Sequence, residues 1–109
     1  MENCFCKIFI CTSLGKQQLF DKILSLLKGE KESFSDIRSP WCDAHLAENS
    51  YYSPNSDPND FIYFPYYLEI YENKTNDTEY INNIREIIFV MNSIGYKAVA
   101  ACDFEDMLD

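Results

Sequence analysis

Only one histidine, His45, stands beside five cysteines, Cys4, Cys6, Cys11, Cys42 and Cys102, and these limit the chemistry the chain can do. A Cys–His nucleophile pair needs His45 within reach of a thiol. Cys42 is nearest in sequence, but on strand alternation Cys42 and His45 face opposite sides. The other four thiols fall in apolar runs and read as small buried hydrophobes. Cys4 and Cys6 are one residue apart, whereas zinc pairs bracket two to four residues and need a second pair. Asp43 and His45 share a strand face and form a carboxylate–imidazole pair without a third ligand fixed by spacing. A small enzyme built on Asp43, His45 and Cys42 is therefore the least supported function class. Asp57-Pro58-Asn59-Asp60 lacks the glycine and the distant glutamate of a calcium loop and reads as a turn. Gly15, Gly29 and Gly95 are too far apart for a phosphate-binding loop. The residues specify no catalytic group, no cofactor and no metal.

Charge and aromatic patterning say more. Net charge is −9, split as +2 over residues 1–31 and −11 over residues 32–109. Between Arg38 and Lys74 lie Asp43, Glu48, Asp57, Asp60, Glu69 and Glu72, with no Lys or Arg. Tyr51, Tyr52, Tyr63, Tyr66, Tyr67 and Tyr71 crowd the same stretch. Binding nucleic acid needs clustered cations to release counterions, and anionic membranes need them too, so both partners are disfavoured. A basic protein fits: carboxylates steer it in, and tyrosines supply rigid contact area. The expected contact residues are Tyr51, Tyr52, Asp57, Asp60, Tyr63, Tyr66, Glu69, Glu72, Asp103, Glu105 and Asp106, gathered on one surface. An ordinary solvated acidic face is the competing explanation.

The elements that position these residues follow from periodicity. Residues 4–12 predict a strand, with Cys4, Cys6, Ile8 and Ile10 on one face and Phe5, Lys7, Phe9 and Cys11 on the other. Residues 16–28 predict a helix with Leu19, Phe20, Ile23, Leu26 and Leu27 as its apolar stripe, Thr12-Ser13 as cap and Gly29 as C′. Residues 33–38 and 41–48 predict two short strands around Pro40. Residues 49–60 predict a loop. Phe61–Glu72 is the most β-prone run, with an edge position or bulge expected at Pro65. A second helix is predicted over 78–94, capped by Asn76 or Asp77 and ended by Gly95. Its buried stripe is Tyr80, Ile81, Ile84, Ile87, Ile88 and Met91. Residues 97–102 predict a short internal strand, followed by an acidic tail.

At 109 residues this order predicts one α+β domain. The expected architecture is a two-layer α/β sandwich of ferredoxin-like order β-α-β-β-α-β, with a mainly antiparallel sheet and both helices on one face. The other sheet face would be a flat exposed platform. Glu2 and Lys7 interrupt any secretion signal, and no run is long enough to cross a bilayer. Reduced thiols and a cytoplasmic location are expected.

Glu48-Asn49-Ser50-Tyr51-Tyr52, the Tyr-Tyr-Leu-Glu-Ile core of 61–72, and residues 99–106 resemble small acidic bacterial immunity proteins. Such proteins accompany polymorphic or contact-dependent toxins. The resemblance covers residues 48–109 and implies a non-enzymatic antidote that binds a toxin domain, often a nuclease. It would block the active site or substrate groove. The alternative is a general protein-binding or regulatory α/β module, as a monomer or weak homodimer. In that reading the aromatic edge around Pro65 pairs with another chain by strand addition.

Overall fold

The computed structural model of the protein describes residues 4–55, 57–73, 76–102 and 104. Strand β1 (Phe5–Cys11) leads to helix α1 (Lys16–Leu27). Three strands follow: β2 (Glu30–Lys31), β3 (Asp36–Arg38) and β4 (Cys42–Glu48). After a long connection come β5 (Tyr66–Glu72), α2 (Asp77–Ser93) and β6 (Lys97–Ala101). Among the described residues the sheet has six strands in the order β2-β3-β4-β5-β1-β6, every neighbouring pair antiparallel. The α+β class stands. The six-strand order differs from the four-strand ferredoxin-like arrangement that the periodicity suggested.

Alternation along the strands divides the molecule. Cys6, Ile8 and Ile10 of β1, Leu68 and Ile70 of β5, and Cys42, Ala44 and Leu46 of β4 are buried. They join Leu19, Phe20, Ile23 and Leu27 of α1 and Tyr80, Ile81, Ile84, Ile87 and Met91 of α2 in one core. Both helices therefore cover the same sheet face. The stripes at helical spacing are the ones the sequence marked, because a helix in a two-layer fold buries one side only.

Local signals decide the ends. The Asn76 side chain accepts the Glu79 N–H at 2.8 Å and caps α2. Gly95 takes φ 101° after α2. The start of α1 departs from expectation: Gly15 is the cap, and its N–H donates to Gln18 Oε1 at 3.3 Å, while Thr12 bonds only Leu14 N–H. The end of α1 departs too. Lys28, not Gly29, adopts the left-handed conformation. Gly29 is needed for space instead. A Cβ there would lie 2.5 Å from Ile37 Cγ2 and 2.9 Å from the Arg38 carbonyl oxygen. Gly29→Ala is expected to push β3 away from α1 and cost about 1–3 kcal/mol, measurable as a lower denaturation midpoint at unchanged slope.

Three further expectations are corrected. Phe61–Glu72 is not one strand: Phe61–Tyr63 forms a single 3₁₀ turn, and pairing starts at Tyr66. Pro65 marks no edge, because β5 lies inside the sheet between β4 and β1. Conversely β6, expected inside, ends the sheet. Strand addition around Pro65 is thereby removed as a route to a homodimer. Among the described residues no helix is long and apolar enough to cross a membrane.

Candidate interaction surface

Neighbouring antiparallel strands ordinarily need about two to five connecting residues. Here β4 and β5 are joined by residues 49–65. Asn49, only 7% exposed, organises this loop. Its backbone N–H donates to the Pro65 carbonyl at 2.8 Å. Its Nδ2 donates to the carbonyls of Ile62 (2.8 Å) and Phe64 (2.7 Å). Its Oδ1 accepts the Tyr51 N–H at 3.1 Å, and its carbonyl accepts the Tyr52 N–H at 3.0 Å. One buried amide thus ties the outgoing limb at Tyr51-Tyr52 to the returning limb at Ile62–Phe64. Asp57 Oδ1 accepts the Asn59 N–H, and Asp60 Oδ1 caps the 3₁₀ turn through the Ile62 N–H. Phe64 is buried, and Phe61 lies 5.3 Å from the Phe9 ring. The loop therefore folds over one end of the sheet face that the helices leave open.

What the loop shows to solvent is aromatic and acidic. Tyr51 is 73% exposed, and Tyr52, Ile62, Tyr63 and Asp57 are exposed beside it, with Asp60 half-buried. The backbone N–H groups of Tyr51, Tyr52 and Tyr63 are each hydrogen-bonded within the loop, to Asn49 Oδ1, the Asn49 carbonyl and the Asp60 carbonyl.

The open sheet face continues from Phe9. Phe5 and Tyr71 meet across strands at 4.9 Å, and Phe9 and Tyr67 at 6.3 Å. Between these pairs Lys7 stands opposite Glu69. The Lys7 ammonium sits 4.1 Å from the Tyr67 ring centroid and 5.1 Å from that of Phe9. Burial pushes the Tyr71 phenol up, with Glu69 and Tyr67 adding to it. By register, Asp36, His45, Glu69 and Lys7 form one row across four strands, and Arg38, Asp43, Tyr71 and Phe5 form the next. This face mixes signs: Lys7 and Arg38 stand among Asp36, Asp43 and Glu69. The acid excess without cations belongs to the loop.

The expected contact residues therefore separate. Tyr51, Tyr52, Asp57, Asp60 and Tyr63 all lie on the loop. Glu69 lies on the open face with Lys7 opposite. Tyr66 and Glu72 turn toward the helix layer. The Tyr66 hydroxyl donates to the Leu14 carbonyl at 2.9 Å. Glu72 Oε2 accepts the Cys4 N–H at 3.2 Å. These two are structural, and the single continuous surface expected for all of them is not formed. Asp103, Glu105 and Asp106 lie outside the described residues. Ile62, Phe5 and Tyr71 are not among the contact residues expected from sequence, although Tyr71 belongs to the Tyr-rich stretch. Odd-numbered positions along β1 and β5 carried the signal for the last two.

The groups with chemical potential are also placed. Cys42 is buried under the helices, while Asp43 and His45 are on the open face. Burial pushes the Cys42 thiol up to about 11, against a hydrogen bond from Ser39 that lowers it. His45 Nδ1 lies 2.7 Å from Asp36 Oδ1, and Ser33 Oγ donates to Asp36 Oδ2 at 2.6 Å. Those hydrogen bonds, Ser33 first, hold the Asp36 carboxyl below its ordinary range. Ser33 bonds the carboxylate and not the imidazole, so Ser33, Asp36 and His45 are not arranged as a nucleophile beside its base. Cys4 Sγ, a Glu72 oxygen and an Asp77 oxygen lie within 4.8 Å of one another, ligand types able to hold a metal ion. They already bond one another: the Cys4 thiol donates to Asp77 Oδ1 at 3.3 Å. Burial, then Glu72 and Asp77, raise that thiol to about 12. The group acts as a polar staple joining β1, β5 and α2. No family model matches this chain, and no curated protein or solved structure matches it either.

Proposed function

We propose that this chain is a non-enzymatic protein-binding domain, and specifically a cytoplasmic immunity protein that neutralises a basic toxin domain by occluding its active site or substrate groove. The observation that carries the reading is the clamped loop: three exposed tyrosines, an exposed isoleucine and two carboxylates on one segment that Asn49 ties across and that holds no Lys or Arg. A nuclease must present Lys and Arg to phosphate, so its inhibitor gains from carboxylates aimed at the same groups. A standard interface takes about 800 Å² per partner. The molecule exposes 6546 Å², so an interface of that size would take about an eighth of its surface. A ferredoxin-like core is part of this reading. Without the β2–β3 extension, the strand order β4-β5-β1-β6 supports it.

The test uses the protein product of the reading frame beside its gene. The expected result is a one-to-one complex. Tyr51→Ala and Tyr63→Ala should each weaken it about 30-fold or more, the scale of interface hot spots. Asp57→Asn with Asp60→Asn keeps both turn caps while removing two charges. That pair should slow association by about tenfold and flatten its salt dependence. Glu72→Gln, at the other end of β5, should leave binding unchanged. Loop variants that bind like the wild type would remove the loop from the interface. Absence of any complex would remove the immunity assignment.

A further inference from the structure

An end strand leaves one row of N–H and C=O groups without a strand partner. Register shows which groups these are at β6. Cys4 accepts the Glu72 N–H at 2.9 Å, so the even-numbered residues of β1 bond toward β5. Backbone groups alternate sides, so Lys7, Phe9 and Cys11 bond to Ala101, Val99 and Lys97. Ala98 and Ala100 therefore turn their N–H and C=O outward, away from the sheet.

Asn92, near the end of α2, occupies the first of these positions. The Ala98 N–H donates to Asn92 Oδ1 at 3.0 Å, and Asn92 Nδ2 donates to the Ala98 carbonyl at 3.3 Å. The side-chain amide stands where the peptide group of a neighbouring strand would stand. Its Nδ2 also donates to the Ile88 carbonyl at 3.0 Å, which fixes the rotamer. Asn is a poor helix former, and both of its polar atoms are used here. β6 itself, Lys-Ala-Val-Ala-Ala, carries little that would protect the rest of the edge. The opposite end is blunted differently: β2 is two exposed charged residues long.

We infer that Asn92 is an edge guard, which stops a second copy of this chain from adding its own β6 to this strand. With the guard in place an incoming strand finds, among the described residues of β6, Ala100 alone with its outward groups open. Without it, Ala98 and Ala100 together offer two donors and two acceptors at strand spacing. Two β6 strands related by a two-fold axis then pair antiparallel about Val99. This inference does not depend on the toxin reading and concerns a different part of the molecule.

The experiment is light scattering after size exclusion over a range of protein concentrations. The wild type is expected at its monomer mass of 12.8 kDa. Asn92→Ala is expected to approach twice that mass as concentration rises. Adding Val99→Lys to Asn92→Ala should restore the monomer, because two lysines would face each other at the axis. A folded Asn92→Ala protein that stays monomeric overturns the inference. So does a dimer that persists with Val99→Lys, because it uses another surface. Hydrogen exchange on the wild type is informative even when the variant does not fold. The Ala98 amide should exchange much more slowly than that of Ala100, and equal rates would show that the guard is not engaged.

Discussion

Tyr80→Ala is expected to remove a large fraction of the protein's stability. Tyr80 is fully buried at the N-terminal end of α2's inner face, and its hydroxyl donates to the Ile70 carbonyl at 2.6 Å. Its ring meets Trp41 and Phe104 edge-on, each at 5.7 Å. Removing a buried aromatic side chain costs about 3–5 kcal/mol, while a domain of this size has about 5–15 kcal/mol in total. Tyr80→Phe keeps the ring and loses the hydroxyl bond, so it should cost only about 1–1.5 kcal/mol. Urea titration at neutral pH distinguishes the two. Alkaline pH supplies a second readout. Burial pushes the Tyr80 phenol above 10.0, and the Cys4 and Cys42 thiols from 9.0 to about 12 and about 11. In each case the protonated form is favoured by the folded state. The stability is complete below about pH 9. Above it the unfolded chain loses protons first, and stability falls as pH climbs toward the folded values. The advantage of the wild type over Tyr80→Phe should therefore shrink above pH 10. An advantage that stays constant to pH 11 would mean that the hydroxyl is not held in this way.

The elements that were legible in the sequence share one property: each is governed by its own burial pattern. Both helical stripes, the two faces of β1 and the Asn76 cap depend on nearest neighbours and on a single buried side. Tyr66 was legible as well. It has the same parity as Leu68 and Ile70, so its inward turn follows from alternation, and only its hydroxyl made it look like a surface residue. Glu72 follows the same rule. The failures arise where a distant partner decides. Phe61-Ile62-Tyr63 has strand composition, but Asn49 takes the Ile62 and Phe64 carbonyls and leaves no ladder for it. Lys97–Ala101 looks internal because α2 covers its inner side, although nothing in five residues reports an absent neighbour. Gly29 looked like a helix cap, because the approach of Ile37 is invisible until β3 is in place.

The same contrast separates the two halves of the acidic region. A count of charges between Arg38 and Lys74 treats Asp43, Glu69 and Asp57 alike. In the fold Asp43 and Glu69 stand on a face shared with Arg38 and Lys7, so their fields largely cancel at a distance. Asp57 and Asp60 have no such neighbour in sequence. Steering of a cationic partner should then depend on the loop and be nearly indifferent to Asp43.

Asn49→Ala should therefore damage binding more than the loss of any single contact residue. The Asn49 side chain reaches no partner, so its effect is on position. Its removal leaves the Ile62 and Phe64 carbonyls without their donor and frees the Tyr51 N–H. Three hydrogen bonds at about 0.5–1.5 kcal/mol each, one of them buried and two part-buried, suggest a loss of about 2–4 kcal/mol in stability. The domain should still fold, because the shared core of sheet and helices does not include this residue. The loop would then have to be ordered on binding. Immobilising Tyr51, Tyr52, Ile62 and Tyr63 at about 0.5–1.5 kcal/mol each would weaken the complex by about 100-fold. Slower association and faster loop-amide exchange should accompany that loss, with the thermal transition lowered but cooperative. Asn49→Asp retains the acceptor for Tyr51 and loses the two donors, so it should resemble Asn49→Ala. If Asn49→Asp binds as tightly as the wild type, the returning limb does not need its clamp, and the preorganised-loop account fails even where the tyrosines remain contacts.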